Sequence, residues 1–145
     1  MNVALIVPNQ NDSIQELHYF LSQKEADLYI FPEGFLDSNS LRAAIDIIKG
    51  KEKYVITGFK DLDYNGQQKA LVIDGGKIVD EYTKCILTKG EKQKGKKNGE
   101  KITCVNTKFG KVGIPICYEI HFPEVARIMC LENPVLLINP IGTGM

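Results

Sequence analysis

The sequence predicts an α/β (α+β) layer fold, a mixed sheet covered by helices. Three observations lead there. The first fifty residues alternate short apolar runs with segments of helical periodicity. The middle third reads as antiparallel strands separated by AsnGly at 65–66 and GlyGly at 75–76. The last third returns to a strand–helix–strand order.

Residues 3–7, ValAlaLeuIleVal, form an apolar run ended by Pro8, as expected of a buried strand. Asn11, Asp12 and Ser13 offer caps for a helix over about 13–25, and Ser13 with Glu16 has capping-box spacing. Ile14, Leu17 and Leu21 supply its apolar face. AspLeuTyrIlePheProGlu, 27–33, reads as a strand that Pro32 stops. Leu41, Ala44, Ile45 and Ile48 recur at helical spacing between the caps Ser38–Ser40 and Gly50. Strand-like runs follow at 54–59, 70–73, 77–82, 102–106 and 112–116. Pro123 stands where a helix begins, and Val135–Asn139 is a last buried strand. No repeat and no linker divides the chain, so residues 1–145 read as one domain.

Composition narrows the function. Of 145 residues, 43% are hydrophobic and 25% charged, a globular profile. Eighteen basic and eighteen acidic residues cancel, which argues against nucleic acid or an anionic membrane as partner. The N-terminal apolar run is too short for a signal peptide or a span, so the expected location is the cytoplasm. Cys85, Cys104, Cys117 and Cys130 include no CxxC pair and no nearby histidine pair, so neither zinc nor another cofactor is expected. In a reducing compartment they are free thiols. Residues 88–101 carry six lysines, two glutamates and three glycines with no apolar residue, and read as a solvated loop. Its GlyGluLysGlnLysGlyLysLys approaches a P-loop but has Lys97 where the hydroxyl must reach magnesium.

Three positions are costly for folding alone. Glu33 closes an apolar strand, and Cys117 ends another in IleProIleCysTyrGlu, close to a predicted helix start. Strand ends of this kind carry catalytic groups in α/β sheets. Free backbone N–H groups at such a turn favour a thiolate and can hold an oxyanion. Cys104 and Cys130 lie within elements and suit the role of small buried hydrophobes. Lys84 ends the strand 77–83; alone it would signify only a surface charge.

Together these residues resemble the nitrilase superfamily of carbon–nitrogen hydrolases. PheProGlu at 31–33, Lys84 with Leu87, CysTyrGlu at 117–119 and PheProGluValAlaArg at 122–127 occur in the family's order, and ThrLysPheGlyLysValGlyIleProIleCysTyrGlu is similar to its strand pair leading to the nucleophile. The resemblance implies an αββα sandwich, here lacking roughly its C-terminal half. It implies a Glu33–Lys84–Cys117 triad that acts on an amide, nitrile or carbamoyl carbon through a thioester, without metal. The backbone N–H of Tyr118 would join Lys84 at the oxyanion, and Glu91 is the candidate for orienting a small-molecule substrate. A homo-oligomer is expected.

Two departures stand out. Ile86 replaces the usual histidine two residues after the lysine, and the chain is much shorter than its relatives. The strands are apolar on both faces. If the helices near 13–25, 41–49 and 123–131 all cover one face, the other expects a cover from a further C-terminal segment or a partner chain. Rival readings are a Cys–His hydrolase using His121, a non-catalytic interaction module on the same fold, and a nucleotide binder. The last lacks a glycine-rich turn after its first strand, where ProAsnGlnAsnAsp stands.

Overall fold

Two sheets stacked between helices make up the molecule. The computed structural model describes residues 1–9, 12–23 and 25–142. The larger sheet runs β1 (Val3–Leu5), β2 (Leu28–Ile30), β4 (Tyr54–Asp61), β5 (Gln67–Asp74) and β6 (Lys77–Thr83), with the short β3 (Leu36–Asp37) also paired to β4. β1, β2 and β4 are parallel, and β5 and β6 are added as antiparallel neighbours. Hence β2, β4 and β6 all point the same way, and residues just beyond the C-terminal ends of β2 and β6 emerge at one side of the sheet.

Local chemistry explains the boundaries. Helix α1 (Ser13–Gln23) is capped by Asp12, whose Oδ1 accepts from the N–H of Ile14 and Gln15. The expected Ser13–Glu16 capping box does not form, because Glu16 Oε1 accepts from the Asn9 N–H instead. Asn11 lies outside the described residues. Helix α2 spans Leu41–Gly50 and buries Ala44 and Ile48. Gly75 and Gly76, at φ 51° and 86°, close β5–β6 as a two-residue turn that only residues tolerant of positive φ make cheaply. AsnGly 65–66 is not such a turn: it ends a longer connection that begins with a 3₁₀ turn at Leu62–Tyr64.

The smaller sheet holds β7 (Val105–Thr107), β8 (Gly110–Gly113) and β9 (Leu136–Leu137). β8 and β9 are parallel, joined through a 3₁₀ turn at Cys117–His121 and helix α4 (Pro123–Cys130). These strands are shorter than their apolar runs, since 102–104 and 114–116 pack as extended chain outside the ladders.

The core has two layers. Leu17, Leu21, Ala44 and Ile48 of the helices meet Tyr29, Phe31, Val55 and Leu71 on one face of the large sheet. Leu28, Ile30, Ile56, Val72 and Tyr82 on its other face meet Val105, Val112, Ile114, Val125 and Met129. The sequence reading that set all three helices on one face is therefore corrected. α4 belongs to the second layer, and the chain's own small sheet covers the face expected to lie bare. Exposed apolar surface lies instead along the edge strands β1 and β9, where Leu5, Val7, Leu137 and Ile141 flank a groove between the sheets. Among the described residues no helix is long and apolar enough to cross a membrane.

Candidate active site

Glu33, Lys84 and Cys117 each stand just past a strand, after β2, β6 and β8 respectively. All three line one cavity of about 470 Å³, together with Gly34, Lys60, Gln68, Thr88, Glu91, Lys96 and Gly142. The strand-end reading of the sequence thus brings its three candidates to one place. His121 is exposed and does not line that cavity, which leaves the Cys–His alternative without a geometry.

Glu33 reaches the cavity because Gly58 lets the chain cross β4. The Gly58 N–H donates to the Pro32 carbonyl at 3.1 Å, and a Cβ on Gly58 would stand 2.2 Å from that oxygen and 2.4 Å from Glu33 Cα. A glycine inside a strand pattern marks such an approach, so Gly58 was a readable signal.

Lys84 is buried, at 1% exposure, not a surface lysine. Its Nζ donates to Glu33 Oε1 at 2.8 Å and to Glu91 Oε1 at 3.1 Å. Burial alone would lower its pKa, but the two carboxylates outweigh burial and raise it, so the ammonium is charged at neutral pH. Two of its three donors are used, which leaves one for a further acceptor.

Glu91 corrects the picture of residues 88–101 as a free solvated loop. Thr88 caps a short helix, α3 (Lys89–Gln93), in a reciprocal capping box: Glu91 N–H donates to Thr88 Oγ1, and Thr88 N–H donates to Glu91 Oε2. Burial works to raise the Glu91 pKa, but the Thr88 N–H and the Lys84 ammonium prevail and lower it. The following turn is tied to the β4–β5 connection by Asn65 Nδ2 on the carbonyls of Lys94 and Gly95, and by Gln67 Nε2 on that of Lys97. Thr88 and Glu91 do have capping-box spacing in the sequence; the lysines around them hide it.

Cys117 opens the 3₁₀ turn with φ 49°, in the left-handed region that a side chain other than glycine's seldom adopts. The surroundings hold it there. Its N–H donates to the Pro140 carbonyl at 3.0 Å, and Asn139 Nδ2 donates to the carbonyls of Pro115 and Cys117. Such strain, kept by its neighbours, is typical of functional positions. The thiol pKa is raised, first by burial and then by the charge of Glu33 and the hydrogen bond to it; the Gly142 N–H and Lys84 act weakly the other way. The resting group is therefore a thiol bonded to a carboxylate. The N–H of Tyr118 has no acceptor among the described residues, while its ring packs edge-on against Phe122.

Behind these groups lies Glu119, fully buried. Its Oε1 accepts from Tyr82 O–H at 2.9 Å, Cys85 N–H at 2.7 Å and Ile86 N–H at 3.1 Å; its Oε2 accepts from Ile116 N–H at 2.7 Å. One carboxylate thus ties the chain just after Lys84 to the chain just before Cys117. Burial and Glu119 together push the Tyr82 phenol far above its ordinary pKa. Glu119 belongs to the CysTyrGlu motif, but nothing in the sequence gave its partners. Of the other thiols, Cys104 is buried as expected, whereas Cys130, expected to be buried, is exposed at the end of α4. Among the described residues no cluster of His, Cys, Asp and Glu could hold a metal.

Comparison with known proteins adds an independent line. Residues 9–145 match the carbon-nitrogen hydrolase family. The omega-amidase NIT3 of Saccharomyces cerevisiae is 32% identical over 46% of this chain and 26% of its own length. A probable hydrolase of Bacillus subtilis, YhcX, is 28% identical over 84% of this chain and 29% of its own. Among solved structures, a carbon-nitrogen hydrolase from Helicobacter pylori superposes on all of this chain and 61% of its own, at a TM-score of 0.84 and 17% identity. An amidase from Nesterenkonia superposes on 97% of this chain and 64% of its own, at 0.75 and 19%. The chain thus spans less than two thirds of these relatives. With its matched residues covering nearly its whole length, this chain belongs to the carbon-nitrogen hydrolase family.

Proposed function

We propose that the protein hydrolyses non-peptide carbon–nitrogen bonds, foremost amides, through a thioester on Cys117. The observation that carries the reading is the convergence of Glu33, Lys84, Glu91 and Cys117 on one cavity, with the thiol bonded to a carboxylate. A thiol with a raised pKa is a poor nucleophile unless a base removes its proton during attack. Glu33 is that base. It takes the proton as Sγ bonds to the carbonyl carbon and the π electrons move to oxygen. The free donor of Lys84 and the Tyr118 N–H face the resulting oxyanion. The intermediate collapses, the C–N bond breaks, and Glu33 passes its proton to the leaving nitrogen, which departs as ammonia or amine. Water then adds to the thioester as Glu33 takes one of its protons; the C–S bond breaks and Glu33 returns the proton to sulfur. Glu91 holds Lys84 in place and borders the substrate.

Nitrile and carbamoyl carbons are open to the same groups. A relative supports the cysteine's role: acrylamide adds to the active-site cysteine of the Nesterenkonia amidase. A cytoplasmic site of action and assembly into homo-oligomers complete the proposal; the four free thiols suit the first, and the apolar strip along β1 and β9 suits the second. The test is ammonia release from small amides, nitriles and carbamoyl compounds by the wild-type protein and Cys117→Ala. Release by the first and none by the second is expected. No release from any of them, with all four cysteines equally reactive to a thiol probe, would support a non-catalytic module.

A further inference from the structure

The cavity holds more positive charge than the proposed chemistry uses. Lys60, on β4, lines it and makes no ion pair among the described residues. Lys96, from the turn after α3, lines it too. The nearest carboxylate oxygen to Lys96 is Glu91 Oε1, at 4.0 Å, which already accepts from Lys84. The Cε atoms of both lysines lie within 4 Å of the point a Cβ on Gly66 would occupy, so their ammonium ends share one side of the cavity. Lys96 is not free to swing out, since its turn is tied down by Asn65 and Gln67. Its pKa is lowered, first by burial, with the charges of Lys60 and Lys84 adding to that. Clustered, partly desolvated cations without counter-charges are unfavourable by themselves and are relieved by an anion.

A second observation points to a ligand. Gln68 is the cross-strand partner of Lys60 and borders the same cavity. It is 8% exposed, and its Oε1 is buried with no hydrogen-bond partner. Buried polar atoms are rarely left unpaired unless something from outside completes them.

We infer that Lys60 and Lys96 form an anion subsite beside the reacting groups, and that the substrate is an amide bearing a carboxylate, such as the monoamide of a small dicarboxylic acid. The inference takes its reacting group from the hydrolase reading above. The carboxylate sits on the two ammonium groups and so directs the amide carbon towards Cys117. Gln68 Oε1 remains available for a hydroxyl or amine hydrogen on the same molecule.

The experiment pairs turnover with binding. Ammonia release is compared for succinamate and its neutral isostere 4-oxopentanamide, with wild-type protein, Lys96→Ala and Lys60→Ala/Lys96→Ala. Succinate binding to the same proteins is measured by calorimetry at low and high salt. The wild type should prefer succinamate at least about tenfold in kcat/KM, as expected for a charge-assisted contact. The double variant should lose that preference through KM, with activity on the neutral amide retained, and should no longer bind succinate. Equal use of both amides by the wild type, parallel losses on both in the variants, or succinate binding that survives removal of both lysines would overturn the inference. Succinate binding that depends on the lysines, with no turnover of either amide, would uphold the subsite and overturn the hydrolase reading instead.

Discussion

Lys84 Nζ and Glu33 Oε1 lie 2.8 Å apart, across 51 residues of sequence and two strands of the large sheet. With Glu91 on the same ammonium, one cation balances two largely buried carboxylates. Lys84→Ala should therefore abolish turnover and also cost about 3 kcal/mol, because it strands two carboxylates away from water. Urea denaturation measures the cost. Adding Glu33→Gln to that variant should recover part of it. If the two substitutions simply add their costs, the pair is not coupled in this way.

Glu33→Gln should separate the chemistry of Cys117 from its reactivity. Turnover requires a base and should fall to background. The Glu33 charge and its hydrogen bond, however, raise the thiol pKa, so removing them moves that pKa down towards the ordinary thiol value of 9.0. At pH 8 more thiolate is then present, and iodoacetamide should alkylate Cys117 faster in the variant than in the wild type. Slower alkylation in the variant would mean that Glu33 ionises the thiol at rest.

Glu119→Gln tests the carboxylate behind the site. An amide cannot accept at both ends, so a buried N–H loses its acceptor and stability should drop by about 1–3 kcal/mol. The substitution should also lower kcat more than it raises KM, because the Lys84 and Cys117 segments both lose their anchor. Unchanged melting and unchanged kcat would show that the four hydrogen bonds are dispensable.

Much of this arrangement was legible in the sequence, and the failures have physical causes. Apolar runs ending on Pro8, Pro32 or Cys117 gave the strands, and helical spacing gave α1, α2 and α4. What period cannot show is which layer an element joins. Val125 and Met129 read the same whichever sheet they cover, so α4 was placed on the wrong face. Lys84, Lys60 and Lys96 look like any lysines, because their environment is built from residues distant in the chain. Glu91 was hidden for the same reason: its capping box with Thr88 is local, but its burial comes from β4, β5 and Lys84. Asn139 and Gly142 act on Cys117 and Glu33 only through the return of the chain after β9.

Acid stability follows from Glu91. Its pKa is lowered from 4.5 in the folded protein, so its ionised form adds stability above that value. That stability is lost as pH falls from 4.5 through the lower folded value. Lys84, raised above 10.5, contributes fully below that pH and loses its part as pH rises through the higher folded value. Glu91→Gln should therefore flatten the acid limb of the stability–pH curve relative to wild type while leaving the alkaline limb. Identical acid limbs in thermal melts at pH 3 to 6 would remove Glu91 from this role.

Cys104 and Cys130 give contrasting controls. Cys104 is buried with its Sγ on the Met129 carbonyl, so Cys104→Ala should cost about 1 kcal/mol and leave turnover intact. Cys130 is exposed and should react with thiol probes without any loss of activity. Loss of turnover on labelling Cys130 alone would contradict the assignment of chemistry to Cys117.

The central claim is tested most directly by where an acyl group lands. Wild-type protein is mixed with an amide it turns over, quenched in acid during the steady state, digested, and its peptides weighed. The account predicts the acyl mass on the peptide containing Cys117, its removal by hydroxylamine, and no adduct in Cys117→Ala. Turnover with Cys117 unmodified and the acyl group on another residue, or an active Cys117→Ala protein, would contradict it.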